Sequence, residues 1–442
     1  MPQEEVKVYH RCKIKKARDV GFDGYCGIDV LPDESLHHVL SFLPAREAVQ
    51  TCVLARRWRH LWRSVPALRI TSGPRWEWIT QQEFDDLNTF MTNLLRERDL
   101  NAPLDVCELI INPFENVVKE TEILKIRTWI QQALLCKAQT LRILFDEPDY
   151  SSLMLWHLHL VSHYLTTLEL KCVRLGNDFL DFSSCLTLKN LRMNLCYIWS
   201  EKISSQSLKL LTIIHCWFRD HKRTRISAPN LVWLELSNNH RKTPILESMP
   251  SLVKAFVRLR DCLDHCGKEE FGGLCSKNDC INCVHNSEKH QGCVLLNGLS
   301  QAERLELVAG PGTFIFKRDL MWHPTFSKLK TLLLNEWCVS LDFCALICFL
   351  RHTPVLEKLT LQLCQAPDNW VKPRGKYVPS KEPFASKKLR VIEVKCEKFD
   401  VRVHQISRIL SIYNTYLEKV TIECSERCSE CYSFQKNDDL LW

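Results

Sequence analysis

The pattern that most restricts this chain is a short phrase that keeps returning: a leucine, two other residues, then two aliphatic residues separated by one. It reads LTTLELKC at 165–172, LKNLRMNLC at 188–196, LKLLTIIHC at 208–216 and LVWLELSN at 231–238. It resumes as AERLELVA (302–309), LKTLLLNEWC (329–338), LEKLTLQLC (356–364), LRVIEVKC (389–396) and LEKVTIEC (417–424). Residues two apart on a strand share a face, so the leading leucine and the aliphatic pair turn inward and the residue between them turns out. One such unit cannot enclose its own apolar face, but units recurring at roughly 20–33 residues can do so by stacking. The expectation is an α/β fold, an irregular solenoid with the form of a horseshoe or arc.

Most of these phrases end in a small polar or sulfur residue: Cys172, Cys196, Cys216, Asn238, Cys338, Cys364, Cys396 and Cys424. An inward position just past a strand suits a side chain that can pack or bond to turn backbone, which accounts for many of the 23 cysteines without metal or redox chemistry. Between strands, 341–354 and 403–416 have helical periodicity, whereas Ala228-Pro229 and Met249-Pro250 mark short returns. Within 71–135, Phe84, Leu87, Phe90, Met91, Leu94 and Leu95 mark one helix, and Ile123, Ile126, Ile130 and Leu134 another. Val106, Leu109 and Ile111 read as a strand, and the whole segment reads as a linker with capping repeats.

A different pattern precedes the repeats. In LPDESLHHVLSFLPAREAVQTCVLARRWRHLW (31–62), three short amphipathic helices are expected: one carrying Leu36, Val39, Leu40 and Leu43, a second carrying Ala48, Val49, Cys52 and Val53, and a third carrying Trp58, Leu61, Trp62 and Val65. Pro32 opens the first helix and Pro44 separates it from the second. So short a segment, with so many apolar side chains, leaves apolar surface for another protein to cover. The order Leu31-Pro32, Leu36, Leu40, Leu43-Pro44, Ala48-Val49, Val53, Arg56-Arg57-Trp58-Arg59, Leu61-Trp62 resembles an F-box of the large plant F-box/leucine-rich-repeat families; Ser35 departs from the usual apolar residue. The resemblance implies docking on the Skp-family adaptor of an SCF-type, cullin-RING ubiquitin ligase. It assigns adaptor contact to Leu31, Pro32, Leu36, Leu40, Leu43, Pro44, Val49, Val53 and Trp58, with Leu61 and Trp62 facing the repeats instead. Residues 387–424 resemble, less specifically, a C-terminal strand–helix–strand region of the same proteins.

The resulting division is a disordered basic tail (1–27), the F-box (28–70), linker and capping repeats (71–135), the solenoid (136–424) with a cysteine-rich insertion (260–298), and a C-terminal tail (425–442). In the insertion Cys262, Cys266, Cys275, Cys280, Cys283 and Cys293 stand near His265, His285 and His290. Cys280-x-x-Cys283 has zinc-ligand spacing, but the full spacing fits no common zinc module, so the reading is a polar loop with no metal assigned. The chain has no run of 18 apolar residues and no apolar leader, and its net charge is only +7. The expected location is the cytoplasm, the nucleus or both, with no membrane partner.

Function is therefore expected from surfaces. No phosphate loop, nucleophile elbow or HExxH pair occurs, so a non-catalytic receptor subunit is expected, without cofactor. Target contact is assigned to the outward strand residues on the concave face: Glu169, Arg192, Thr212, Glu235, Glu306, Leu333, Thr360, Glu393 and Thr421. This set is mildly acidic and suggests a partly basic protein target. Arg56, Arg57, Arg59, His60 and Arg63 could suggest a nucleic-acid reader, but they fit the solvent face of a helix whose tryptophans are buried. His157, His159 and His163 are read as lying on a helix beside the solenoid. The alternative function is a leucine-rich-repeat scaffold acting outside any ligase.

Overall fold

The computed structural model describes residue 28 and residues 31–424, apart from 74–76, 115–118, 146–152, 220–221, 263–292, 311–312, 340–342, 364–387, 398 and 414–417. Both tails, Cys364 and most of the cysteine-rich insertion lie outside the described residues.

One parallel sheet runs through the repeats. β1 (Ala67–Thr71) pairs with β2 (Val106–Ile111), β2 with β3 (Thr140–Phe145), and β3 with the strand Thr167–Lys171. The row continues through Asn190–Asn194, Leu210–Ile214, Trp233–Arg241, Lys254–Cys262, Arg304–Ala309, Thr331–Asn335, Lys358–Leu363 and Val391–Cys396 to Lys419–Cys424. All nine phrases read from the sequence contain strands of this sheet. The pairs Leu168/Leu170, Leu191/Met193, Leu211/Ile213, Leu305/Leu307, Leu332/Leu334 and Leu359/Leu361 are buried, as are the leading leucines Leu165, Leu188 and Leu208. Burying each such side chain contributes about 1.5–3 kcal/mol, and the stacked repeats sum this into one continuous core. The last phrase departs from the rule: Val420 and Ile422 are exposed, because the strand Lys419–Cys424 has a neighbour on one side only among the described residues.

The sheet begins earlier than the repeated phrase. β1, β2 and β3 belong to the same row as the later strands, and two long helices lie between them, α3 (Gln81–Glu97) and α4 (Glu120–Leu135). Thr80 starts α3 with a reciprocal cap: its Oγ1 accepts from the Glu83 amide at 3.2 Å while its own amide donates to Glu83 Oε2 at 2.9 Å. Phe84, Leu87 and Met91 of α3 and Ile123, Ile126 and Ile130 of α4 are buried on the sheet. In β2 the inward set is Cys107, Leu109 and Ile111, so Val106 falls one residue out of the expected phase.

In the middle repeats the returns are short strands instead of helices. Leu153–Leu155, Val173–Leu175, Tyr197–Ile198 and Trp217–Phe218 form a second parallel row, and Lys202–Ser204, Arg225–Ser227 and Ile245–Leu246 a third. Helices return at Phe314–Leu320, Cys344–His352 and Val401–Tyr413.

The residues just past the strands close each repeat. Leu195, His215 and Asn238 take left-handed backbone (φ 53, 52 and 52), and the next residue, Cys196, Cys216 or Asn239, turns into the core. Asn239 Oδ1 accepts from the Cys216 amide at 2.9 Å, and its Nδ2 donates to the Ile213 carbonyl at 3.0 Å. The inward residue of that repeat is thus Asn239 and not Asn238, because Asn239 stands eight residues after the leading Leu231, as Cys196 does after Leu188 and Cys216 after Leu208. Cys196, Cys216 and Cys338 are buried, whereas Cys424 is exposed. Asn335 makes the equivalent bonds in its repeat, to the Ala309 amide and carbonyl, both at 2.9 Å.

At the end of the insertion the chain is captured by a buried carboxylate. Asp319 accepts from the amides of Val294, Leu295 and Leu296 at 2.8, 2.6 and 3.0 Å. The following short helix, Leu296–Leu299, lies so close to the third row that a Cβ at Gly298 would stand 2.5 Å from Leu246 Cβ.

Candidate functional site

The N-terminal module is built from two short helices, α1 (Asp33–Leu40) and α2 (Ala45–Gln50), followed by 3₁₀ turns at Thr51–Val53, Arg56–Arg59 and Leu61–Ser64. The expected third helix is therefore two tight turns. Pro32 and Pro44 stand at the extended position just before α1 and α2, where a missing amide costs nothing. Asp33 and Glu34 place negative charge in the first turn of α1, and Arg57 Nε donates to Asp33 Oδ1 at 2.9 Å, tying the turns back to the helix start.

The apolar residues divide into three groups. Leu36, Leu40, Ala48, Trp58, Leu61 and Val65 form a small core of their own, with half-buried Leu43 and Ala55 against it. Leu36, Leu40 and Trp58, assigned above to adaptor contact, are at most 4% exposed and hold the module together. Ala45, Val49 and Trp62 pack instead against the solenoid core, so Val49 belongs to the joint, as Trp62 was expected to. The third group faces solvent: Ile28, Leu31, Val39, Phe42, Val53 and Leu54, with Val53 82% exposed. Ile28, Val39, Phe42 and Leu54 were missed as outward residues. For Val39 and Phe42 the signal was the adjacent pairs Val39-Leu40 and Phe42-Leu43, since neighbours on a helix or tight turn point about 100° apart and face different surroundings.

The joint between module and repeats is polar as well as apolar. Arg98, at the end of α3, is buried; its Nη1 donates to the Val65 carbonyl at 2.7 Å and its Nη2 to the Pro103 carbonyl at 3.2 Å. Arg69 Nε donates to the Ser41 carbonyl at 3.0 Å, and Arg63 pairs with Glu97 at 3.0 Å.

On the sheet, the assigned target residues share one outward row. Strand register aligns Arg69, Glu108, Arg142, Glu169, Arg192, Thr212, Glu235, Phe256, Glu306, Leu333, Thr360, Glu393 and Thr421 in succession. At its first end the charges alternate and neutralise one another: Glu108 lies 3.4 Å from Arg69 and 3.3 Å from Arg142, and Arg142 Nε donates to Glu169 at 2.9 Å. At the far end Lys358 reaches Glu393 at 2.6 Å and holds its carboxyl below the usual range. Between them Glu306 stands between Phe256 and Leu333, and burial pushes its carboxyl up to about 7. The row is thus less acidic than its sequence suggests.

The F-box domain family matches residues 28–69. Along most of its length the chain is similar to an F-box/FBD/LRR-repeat protein of Arabidopsis thaliana, 26% identical over 431 residues, or 89% of this chain and 91% of the relative. It is also similar to an F-box/LRR-repeat protein of Arabidopsis thaliana (26% over 364 residues, 77% and 72%) and to the MEIOTIC F-BOX protein of Oryza sativa subsp. japonica (27% over 367 residues, 76% and 71%). The chain carries an F-box and is similar along most of its length to plant F-box/leucine-rich-repeat proteins. An F-box is in general a module that binds a Skp-family adaptor, and proteins that join it to leucine-rich repeats act in general as non-catalytic substrate receptors.

The competing charge patterns of this F-box/leucine-rich-repeat chain are tied up in structure. Arg57 and Arg63 of the F-box are paired with Asp33 and Glu97, leaving Arg56, Arg59 and His60 exposed around buried Trp58. His157, His159 and His163 lie in a loop and not on a helix; His157 Nδ1 is 3.1 Å from Asp178. Of the aromatic residues past the strands, Trp337 is buried with its ring N–H on the Leu307 carbonyl at 3.0 Å, Phe218 is buried, and Trp217 stacks between Tyr197 and His240. Trp199 is exposed, 6.4 Å from Trp156.

Proposed function

We propose that this chain is the substrate-recognition subunit of an SCF-type (cullin-RING) ubiquitin ligase, its F-box seated on a Skp-family adaptor and its repeats capturing a protein target for ubiquitination. The observation that carries the reading is the outward apolar group of the F-box, Ile28, Leu31, Val39, Phe42, Val53 and Leu54, on a module whose own core is already filled. Exposed apolar side chains on a folded module gain free energy when a partner removes them from water, and a standard interface of about 1,600 Å² would accommodate such a group. The chain itself supplies position and not catalysis. Arg98, Arg69 and Trp62 fix the repeats to the F-box, so a target held on the outward row keeps a set distance from the ubiquitin-carrying subunits. The reading includes a location in the cytoplasm or nucleus, which suits the reduced state of the described cysteines.

The test is co-purification of the full chain with a Skp-family adaptor, comparing wild type with Phe42→Asp and Val53→Asp. Both sites face solvent, so the variants should fold as wild type and lose adaptor binding by at least tenfold. Failure of the folded wild type to bind would leave a leucine-rich-repeat scaffold working outside a ligase.

A further inference from the structure

The cluster formed by His323, Cys348 and His352 lies far along the chain from the F-box and is not used by the receptor reading. Cys348 and His352 stand one turn apart on the helix Cys344–His352, on the same face. His323 comes from the preceding repeat, in the turn that follows the helix Phe314–Leu320, where its backbone is left-handed (φ 49). One potential ligand atom from each of the three residues lies within 4.8 Å of the others. The two imidazoles face each other with ring centres 5.3 Å apart and 25° between planes.

Two details make this more than proximity. His352 Nδ1 lies 2.8 Å from the Cys348 carbonyl oxygen, which can only accept, so Nδ1 carries the proton and Nε2 keeps its lone pair. A histidine oriented through a backbone carbonyl by its other nitrogen is the arrangement that metal-binding imidazoles ordinarily use. Cys348 is half-buried, with its sulfur 3.9 Å from the Leu320 carbonyl at the end of the neighbouring helix and 3.7 Å from His352 Nδ1.

We propose that His323, Cys348 and His352 bind one Zn²⁺ ion, which pins the turn at 323 to the helix of the next repeat. Two imidazoles and one thiolate form a borderline-soft donor set suited to Zn²⁺, with bonds of about 2.0–2.1 Å to nitrogen and about 2.3 Å to sulfur. The ligand atoms, within 4.8 Å of one another, draw together onto such an ion, and exposed His323 leaves the fourth position to water. Binding requires the Cys348 thiol to release its proton to solvent. The inference is independent of the receptor reading.

The test uses the full chain with any affinity tag removed, loaded with Zn²⁺ or Co²⁺ and freed of excess metal by gel filtration. Because the cysteine-rich insertion can contribute its own metal, the readout is a difference between variants. His323→Asn alters an exposed side chain and keeps a residue type that tolerates left-handed backbone. It should melt as wild type does in chelator, yet hold one zinc fewer per chain and lose the zinc-dependent rise in melting temperature. Cys348→Ser should in addition remove the near-ultraviolet thiolate-to-cobalt absorption of one site. Equal zinc content and an equal zinc-induced shift in wild type and His323→Asn would overturn the proposal, whatever Cys348→Ser does to folding.

Discussion

The F-box and the repeats bury leucines by opposite rules. In the repeats, a strand of period two sends alternate side chains inward, and the same pair is inward in repeat after repeat: Leu191 and Met193, Leu211 and Ile213, Leu305 and Leu307. In the F-box, helices of a few residues carry apolar groups on several sides, and Leu40 is buried while Val39 and Phe42 are exposed. A leucine of the inward pair in a repeat is therefore a statement about folding. In the F-box it can be about folding, about the joint or about a partner, and only the geometry decides.

Substitutions can break this contrast. The largest effect is expected for Leu36→Asp, which puts a charge into the six-residue core of the F-box at a cost of several kcal/mol. Circular dichroism and limited proteolysis should show the module unfolded while the repeats keep their strands. Leu211→Ala removes a fully buried side chain from the middle of the sheet and should cost about 2–5 kcal/mol in denaturant unfolding, without selective loss of the F-box.

Glu306→Gln sharpens the comparison on the outward row. With its carboxyl raised from 4.5 to about 7 by burial, the folded chain holds this proton more tightly than the unfolded one. Its contribution to stability is full below the unfolded value and is lost as pH rises through about 7. Glutamine removes that loss, so the variant should be more stable by about 1–3 kcal/mol above pH 7 and little changed near pH 4, measured as melting temperature against pH. The smallest effect on folding belongs to Val53→Asp, within about 0.5 kcal/mol of wild type because the side chain is already in water. A large loss of stability there would mean that the outward group is part of the module's core after all.

The sheet could be read from the chain because its signal is periodic and repeated: an error in one phrase is corrected by the others. Asn239 escaped because its phrase was read as ending on Asn238, one residue short of the place that Cys196 and Cys216 hold, and β1 escaped because it lies well before the later series. In the F-box the helices were legible but their inner and outer faces were not. Three candidate contact residues, Leu36, Leu40 and Trp58, turned out to be internal, since helical periodicity over eight residues marks an apolar side without saying what covers it. Asp319 and the partnership of His323 with Cys348 and His352 join separate elements of the fold. The spacing of Cys348 and His352 was visible in the sequence; the approach of His323 was not.

The strand row also behaves as a ruler. Adjacent strands lie about 4.8 Å apart, so adding or deleting a whole repeat advances or withdraws everything beyond it by about that step. Extra chain inside a repeat does not: Lys254–Cys262 pairs directly with Arg304–Ala309, although residues 263–303 intervene. Length can therefore be gained at the insertion without changing the reach measured from the F-box, and reach can be retuned only in whole-strand increments.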